Sequence, residues 1–379
     1  MAEITAITMP KWGLTMTEGT VVGWLRQQGQ SFVEGEEILE IESPKITNVV
    51  EASSAGTLRR IVAQAGVTLP VGGLLAVVAG DEVPEAEIDA FVADFAVPEP
   101  TAGEEAEAEG VKPQDIEVGG RRLRYLELGE GNGVPVLLVH GFGADLNTWM
   151  FTQPALAARR RTVALDLPGH GGSAKEVGAG DVDSLTDAVE GALGALGVEQ
   201  VHFVGHSMGG AVAASLALRR PERAASLTMI ASAGLGPEIN TSFIDGFVRM
   251  ARRREAAEVI GLLVHDPALV SRAMVEDVLR YKRLDGVSAA LAKVAEAWFS
   301  GGRQSLDLTS RIAELAMPVQ VIWGRDDRII PVAHAEVLAD RLTVHILEAA
   351  GHLPHMEKAG EVNRLIDQFI GSVSERVGT

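Results

Sequence analysis

Gly205-His206-Ser207-Met208-Gly209 sets a serine between closely spaced glycines, after the strand-like run VHFVGH and before the helix-like run GAVAASLALRR. A strand that turns sharply into a helix forces its turn residue into a strained backbone, and only small neighbours let the chain pass. Ser207 then stands clear of a sheet edge at a helix N-terminus, where it would serve as a nucleophile. A free hydroxyl is weak at neutral pH, so it needs a base, and the base needs an orienting acid. Asp326 and Asp327 lie in WGRDDRIIP, in a loop leaving an apolar strand. His352 and His355 lie in GHLPHMEK, in a loop leaving the next strand. A second reactive group stands far upstream. Ser43-Pro44-Lys45-Ile46 reads as a type I turn between alternating strands, with Pro fixing φ at the second position, so Lys45 is expected at an exposed hairpin tip.

The elements that would carry these residues fall into two sets. Residues 19–41 and 56–78 repeat one pattern, with Gly19, Gly29 and Gly35 matched by Gly56, Gly66 and Gly72. Val21/Leu58, Leu25/Val62, Phe32/Leu69, Ile38/Leu75 and Ile41/Val78 keep step. Short β-branched runs punctuated by matched glycines predict two similar sheets of short strands closing a small all-β barrel or sandwich. From about residue 116 the pattern changes to apolar runs alternating with longer helical stretches, the signature of a parallel sheet with helices on both faces. Strands are expected at 135–140, 162–167, 201–206, 225–232, 319–324 and 343–348. Helical stretches at about 235–300 interrupt the sheet pattern and predict a cap over the serine.

Residues 81–115, rich in Ala, Glu and Pro, read as an extended acidic linker. Within it, Ile88, Phe91, Val92 and Phe95 are spaced for one apolar helical face, expected to dock on a domain or on a partner subunit. The predicted division is therefore 1–80, 81–115 and 116–375.

Bulk composition narrows the function classes. A formal net charge of -19 argues against nucleic acid and anionic membranes as partners. The chain has no cysteine, which removes disulfides, thiolate metal sites and a cysteine nucleophile. The histidines share no metal-ligand spacing, so no metal is expected. MAEITAITMPKW has neither a basic start nor an apolar run, and no apolar stretch reaches the ~20 residues of a membrane helix, so a cytoplasmic protein is expected.

Residues 1–80, through MPKWGLTMTEG and GQSFVEGEEILEIESPK, resemble the lipoyl domains of 2-oxo-acid and acetoin dehydrogenase complexes. That resemblance implies lipoic acid in amide linkage on Lys45. Biotinyl domains have Met on both sides of the lysine, where this chain has Pro44 and Ile46. Residues 116–375 resemble the α/β-hydrolase family, whose W-G-x-x-D-x-x-x-P pattern makes Asp327 the acid. Its terminal segment makes His352 the base, with His355 the alternative. His140-Gly141-Phe142-Gly143 resembles the family's oxyanion loop, implying that the N–H groups of Phe142 and Met208 face a developing negative oxygen. His140 and His170 are read as structural.

Together the two parts resemble the acetyltransferase subunits of acetoin dehydrogenase complexes, in which a hydrolase-fold domain replaces the usual catalytic domain with its H-x-x-x-D-G motif. The implied reaction carries an acetyl group from dihydrolipoyl-Lys45 to coenzyme A. The implied partners are a thiamine-diphosphate-dependent dehydrogenase component, dihydrolipoamide dehydrogenase, and a lipoate ligase or lipoyl transferase, around a homo-oligomer. A serine esterase or thioesterase fused to a lipoyl carrier, and a scaffold with a non-catalytic hydrolase domain, are the alternatives. Arg249, Arg252, Arg253 and Arg254 are read as a solvated helix face, with a site for coenzyme A phosphates as the rival reading.

Overall fold

Each half of the internal repeat becomes half of a two-sheet domain. The computed structural model describes residues 4–12, 16–43, 47–96 and 111–377, with side chains to 374. The N-terminal strands are β1 (Thr5–Thr8), β2 (Glu18–Trp24), β3 (Ser31–Phe32), β4 (Glu37–Glu42), β5 (Thr47–Glu51), β6 (Gly56–Ile61), β7 (Thr68–Pro70) and β8 (Leu74–Val78). They form two four-stranded sheets, ordered β1-β8-β6-β3 and β5-β4-β2-β7. Exchanging β2, β3, β4 and β5 for β6, β7, β8 and β1 turns one order into the other, so the repeat is a pseudo-twofold. Gly35 and Gly72 take φ +82° and +81° at equivalent turns, a left-handed backbone that L side chains rarely adopt.

The matched apolar positions Val21, Leu58, Ile38, Leu75 and Ile41 are buried between the sheets. Leu25 and Val62 keep step but remain 40% and 38% exposed. The pair marks a backbone irregularity repeated in both halves: Leu25 and Arg26 both donate to the Ile38 carbonyl, as Val62 and Ala63 both donate to that of Leu75.

Helix α1 (Glu85–Asp94) lies in the segment expected to be linker, and it packs on this domain. Ile88 is fully buried in a cluster with Leu74, Val77, Ala79 and Val83, against which Phe91, Val92 and Phe95 also pack. Glu85 pairs with Arg59 and Arg60, and Asp89 with Arg60, at 2.7 to 2.8 Å. The apolar stripe thus docks within its own chain.

The second unit, residues 111–268 and 275–377, is built on one eight-stranded sheet. Its strands are β9 (Gln114–Val118), β10 (Arg121–Leu128), β11 (Val136–Val139), β12 (Thr162–Leu165), β13 (Val201–His206), β14 (Ala224–Ile230), β15 (Val319–Gly324) and β16 (Thr343–Leu347). The order is β16-β15-β14-β13-β11-β12-β10-β9, parallel from β16 to β12 and antiparallel at β10 and β9. All six expected strands form. β9 and β10 are additional, joined through Gly119 and Gly120, both at positive φ as a two-residue hairpin turn requires.

Helices α2 (Gln153–Ala157), α3 (Val182–Ala195), α4 (Met208–Arg219) and α9 (Ala359–Val377) flank the sheet, α3 packing with α4 and α2 with α9. Between β14 and β15 come α5 (Thr241–Arg249), α6 (Arg253–Ile260), α7 (Arg272–Lys282) and α8 (Val287–Phe299), where the cap was expected. Among the described residues no helix is long and apolar enough to cross a membrane.

Ile88→Ala should destabilise the N-terminal domain by ~2–5 kcal/mol, the usual cost of such a core truncation. Hydrogen-exchange mass spectrometry should show faster exchange across β6 and β8. Unchanged protection there would contradict the packing of α1 on this sheet.

Candidate active site

Ser207 follows β13 directly and opens α4, with φ 53° and ψ −120°. Its N–H donates to Ile230 O at 2.9 Å, and its carbonyl accepts from Gly210 and Ala233, each at 3.0 Å. A Cβ on Gly205 would lie 2.5 Å from Gly209 O, and one on Gly209 would lie 2.2 Å from Val139 O. No side chain fits at either glycine, which is the close passage expected from the sequence. Among the described residues only Ser207, Ala231 and Ala349 are non-glycines at positive φ. They follow β13, β14 and β16, so the backbone strain gathers at the carboxyl ends of the sheet.

The loops after β15 and β16 bring the other two groups to the serine. His352 Nδ1 lies 2.8 Å from Asp327 Oδ2, and His352 Nε2 lies 3.0 Å from Ser207 Oγ. With the proton on Nδ1 toward the carboxylate, Nε2 is left to accept from the Ser207 hydroxyl. The Asp327 side chain is wholly buried, and its Oδ1 accepts from the N–H groups of Ile329 and Ile330 at 2.8 and 3.0 Å. Two backbone hydrogen bonds therefore fix one carboxylate oxygen while the other orients the imidazole.

The rejected candidates have other partners. Asp326 is 44% exposed and lies 2.8 Å from His265 Nδ1. His355 is buried, with Nε2 at 3.0 Å from Thr148 Oγ1 and its ring against Trp149. His206 Nε2 donates to the backbone carbonyl of His352 at 2.8 Å. His140 and His170 hold the loops beside the site: His140 Nδ1 donates to Gly141 O and Nε2 accepts from Leu167 N–H, while His170 Nδ1 donates to Pro168 O. Among the described residues no group of His, Asp and Glu is gathered to hold a metal ion.

The N–H groups of Phe142 and Met208 have no acceptor among the described residues, so both are available to an incoming oxygen. The Phe142 ring packs edge-on against Phe247 of α5 and Phe299 of α8, with centroids 5.7 and 6.0 Å apart. A side chain at Gly143 would strike the Phe247 ring at 2.3 Å. Helices α5 and α8 thus supply an apolar wall against the loop that carries Phe142 and Gly143.

Several supporting residues escape a motif search. Asp166, wholly buried, accepts from Leu146 N–H, Gly172 N–H and the Arg124 Nε, fixing the loops after β11 and β12. Burial pushes its carboxyl above the ordinary range, against the opposing pull of Arg124. Glu357 accepts from Gly351 N–H at 2.8 Å and His265 N–H at 2.6 Å, bracing the His352 loop against the cap. Arg328, beside Asp327, donates to Gly261 O and Val264 O at 2.6 Å. Each is a polar side chain serving backbone far away in sequence, a contact that local pattern does not reveal.

Lys45, with Pro44 and Ile46, lies outside the described residues. The strands on either side pair with Glu42 opposite Thr47, so residues 43–46 connect the ends of an antiparallel pair.

Residues 5–78 match the family of biotin-requiring enzymes, and residues 134–359 match the α/β hydrolase fold family. The chain is 49% identical over 370 residues to a Pseudomonas putida protein, covering 98% of this chain and 99% of that one. It is 45% identical over 368 residues to a Cupriavidus necator protein, covering 97% and 98%. Both relatives are named the dihydrolipoyllysine-residue acetyltransferase component of the acetoin cleaving system. A meta-cleavage product hydrolase from Pseudomonas fluorescens superposes with TM-score 0.63 at 23% identity, over 68% of this chain and 97% of that one, a likeness of fold alone.

The buried histidines set a pH dependence. Burial pushes His170 and His355 down to about 3 and His202 to about 4, and holds His140 and His206 below the ordinary imidazole range. A histidine with a depressed folded pKa takes up its proton more readily when unfolded. Its contribution is intact above ~6.5 and is lost as pH falls, by up to ~1.4 kcal/mol per pH unit for each group. Asp166 and Glu357, pushed up by burial, act in the opposite sense but are fewer. The melting temperature of this unit should therefore be lower at pH 5.5 than at pH 7.5, and calorimetry showing no fall would contradict the neutral buried histidines.

Proposed function

We propose, for a chain that belongs both to the α/β hydrolase fold family and to the dihydrolipoyllysine-residue acetyltransferase components of acetoin cleaving systems, that acetyl transfer to coenzyme A runs through an acetyl ester on Ser207. The observation that carries this reading is the continuous line Ser207 Oγ, His352 Nε2, His352 Nδ1, Asp327 Oδ2, with separations of 3.0 and 2.8 Å. Such a line activates a hydroxyl that would otherwise be a poor nucleophile.

Lys45 is the residue assigned to lipoic acid. The flanking strands β4 and β5 pair with Glu42 opposite Thr47, and the sequence between them, which holds Lys45, is short enough to suit a carrier attachment. Lipoic acid on Lys45 would supply the acetyl group as a thioester on a long tether, which raises effective concentration at an acceptor.

The chain's own residues then act in sequence. Ser207 Oγ attacks the acetyl carbon while His352 Nε2 takes its proton, and Asp327 holds the resulting imidazolium. The N–H groups of Phe142 and Met208 donate to the carbonyl oxygen as it becomes negative, each worth ~2.7–4 kcal/mol in comparable sites. When the tetrahedral centre collapses, the carbon–sulfur bond breaks and His352 returns the proton to the departing sulfur. Coenzyme A, the acetyl acceptor, enters next: His352 removes its thiol proton, the sulfur attacks acetyl-Ser207, and Ser207 leaves with that proton. The Phe142, Phe247 and Phe299 wall keeps water from competing.

We assign residues 1–80, with α1 packed on them, to the carrier, 81–115 to the linker and 116–375 to catalysis. We place the chain in the cytoplasm as a homo-oligomer. Its proposed partners are a thiamine-diphosphate-dependent dehydrogenase component, dihydrolipoamide dehydrogenase, and a lipoate ligase or lipoyl transferase.

Ser207→Ala should remove nearly all acetyl-coenzyme A formation, leaving only the ~10³–10⁴-fold over water that binding and oxyanion stabilisation provide. Lys45→Arg should abolish turnover of the assembled complex yet retain transfer from free acetyl-dihydrolipoamide. The reading would be wrong if Ser207→Ala stayed nearly fully active, and a hydrolase would be indicated if acetate release were rapid with coenzyme A present.

A further inference from the structure

We propose that the cap carries the site for the phosphates of coenzyme A, in a cleft lined by Arg252, Arg253, Arg280 and Arg283. This rests on the acetyl-transfer reading above, because it deepens the account of the acceptor. The cleft, of about 460 Å³, opens where the start of α6 meets the second half of α7. Ala251, Glu276 and the buried Leu279 complete its lining.

Four arginines line the cleft with one carboxylate, Glu276, which lies 2.8 Å from Arg253, and Arg280 pairs with Asp277 at 3.1 Å. The remaining charge is positive in a chain whose net charge is -19. A polyanionic acceptor approaching such a chain is repelled at long range, so its binding needs a concentrated cationic recess. Planar guanidinium forks also match phosphate oxygens in pairs. The Arg252 and Arg283 guanidinium groups form no ion pair among the described residues, although the Glu255 carboxylate accepts from the Arg252 backbone N–H at 3.2 Å. Of the four clustered arginines of the sequence, Arg252 and Arg253 line the cleft, Arg254 is 91% exposed and pairs with Glu258, and Arg249 ends α5 outside the lining.

Position relative to the oxyanion loop supports the same ligand. Phe247, against Phe142 and Gly143, stands five residues before Arg252, a separation of at most ~18 Å even for extended chain. The arm of coenzyme A places about a dozen bonds between its thiol and its nearest phosphate, a reach of ~15 Å by the same backbone scale. Lys282 fixes this geometry. Its buried Nζ donates to Phe247 O, Val248 O and Met250 O, tying α7 to the end of α5 beside the cleft. A phosphate held by the arginines would thus leave the thiol free to extend toward the serine.

The test is calorimetric titration of coenzyme A and of dephospho-coenzyme A into the full chain, using a Ser207→Ala background so that binding is read without turnover. Adding Arg252→Ala and Arg283→Ala should raise the coenzyme A Kd about tenfold or more, as expected for lost charge-assisted contacts, and should shrink its advantage over dephospho-coenzyme A. Arg252→Gln with Arg283→Gln serves if the alanine pair alters the circular dichroism spectrum. A Kd within twofold of the parent in a folded variant would overturn the proposal. So would an unchanged Kd with turnover lost from the tethered donor in the Ser207 parent, which would assign the cleft to the acidic carrier domain. Failure of the acetyl-serine reading alone would leave these binding results intact.

Discussion

Ser207 is held at φ 53°, a conformation that costs of order 1–3 kcal/mol and persists only where its surroundings impose it. The surroundings here are the ends of neighbouring strands. Ile230 O takes the Ser207 N–H, and Ala233 and Gly210 return hydrogen bonds to its carbonyl. Gly205 and Gly209 let β11 and α4 approach too closely for any side chain. The order of the sheet follows from what must surround that turn. β11 delivers the loop of Phe142 from one side, and beyond β14 the strands β15 and β16 deliver Asp327 and His352.

Around this point the chain satisfies polar groups one by one. Asp327 is oriented by two backbone amides, His352 by Asp327 and by its own N–H to Leu263 O at 2.7 Å, and the His352 carbonyl by His206. Glu357 and Arg328 extend the same bracing into the segment that carries Leu263. A site so braced is already arranged for charge that develops during reaction, which is the main source of electrostatic catalysis. Its wall of Phe142, Phe247 and Phe299 is apolar. An apolar wall of this kind strengthens electrostatic interactions wherever it displaces water.

Much of this was legible in residue order. The matched glycines of the N-terminal repeat foretold a pseudo-twofold pair of sheets because left-handed turns recur where the repeat recurs, as at Gly35 and Gly72. G-x-S-x-G foretold the strain at Ser207, and strand-end loops foretold where Asp327 and His352 would arrive. Other features were not legible. β9 and β10 alternate charged and apolar residues weakly, and their hairpin signal, Gly119-Gly120, is only two residues long. The destination of α1 depends on Leu74 and Val77, whose inward packing is set by the fold of the whole domain. Asp166 and the arginine cleft of the cap join residues far apart in sequence, so only tertiary structure brings out their roles.

The central claim is that the acetyl group rests on the serine between two thiols. Rapid-quench peptide mass analysis, with acetyl-dihydrolipoamide supplied and coenzyme A withheld, reads this directly. The account predicts an acetyl adduct on the Ser207 peptide that forms within one turnover and disappears when coenzyme A is added. An unmodified Ser207 peptide at every time point, under conditions where acetyl-coenzyme A forms at the normal rate once the acceptor is present, would contradict it.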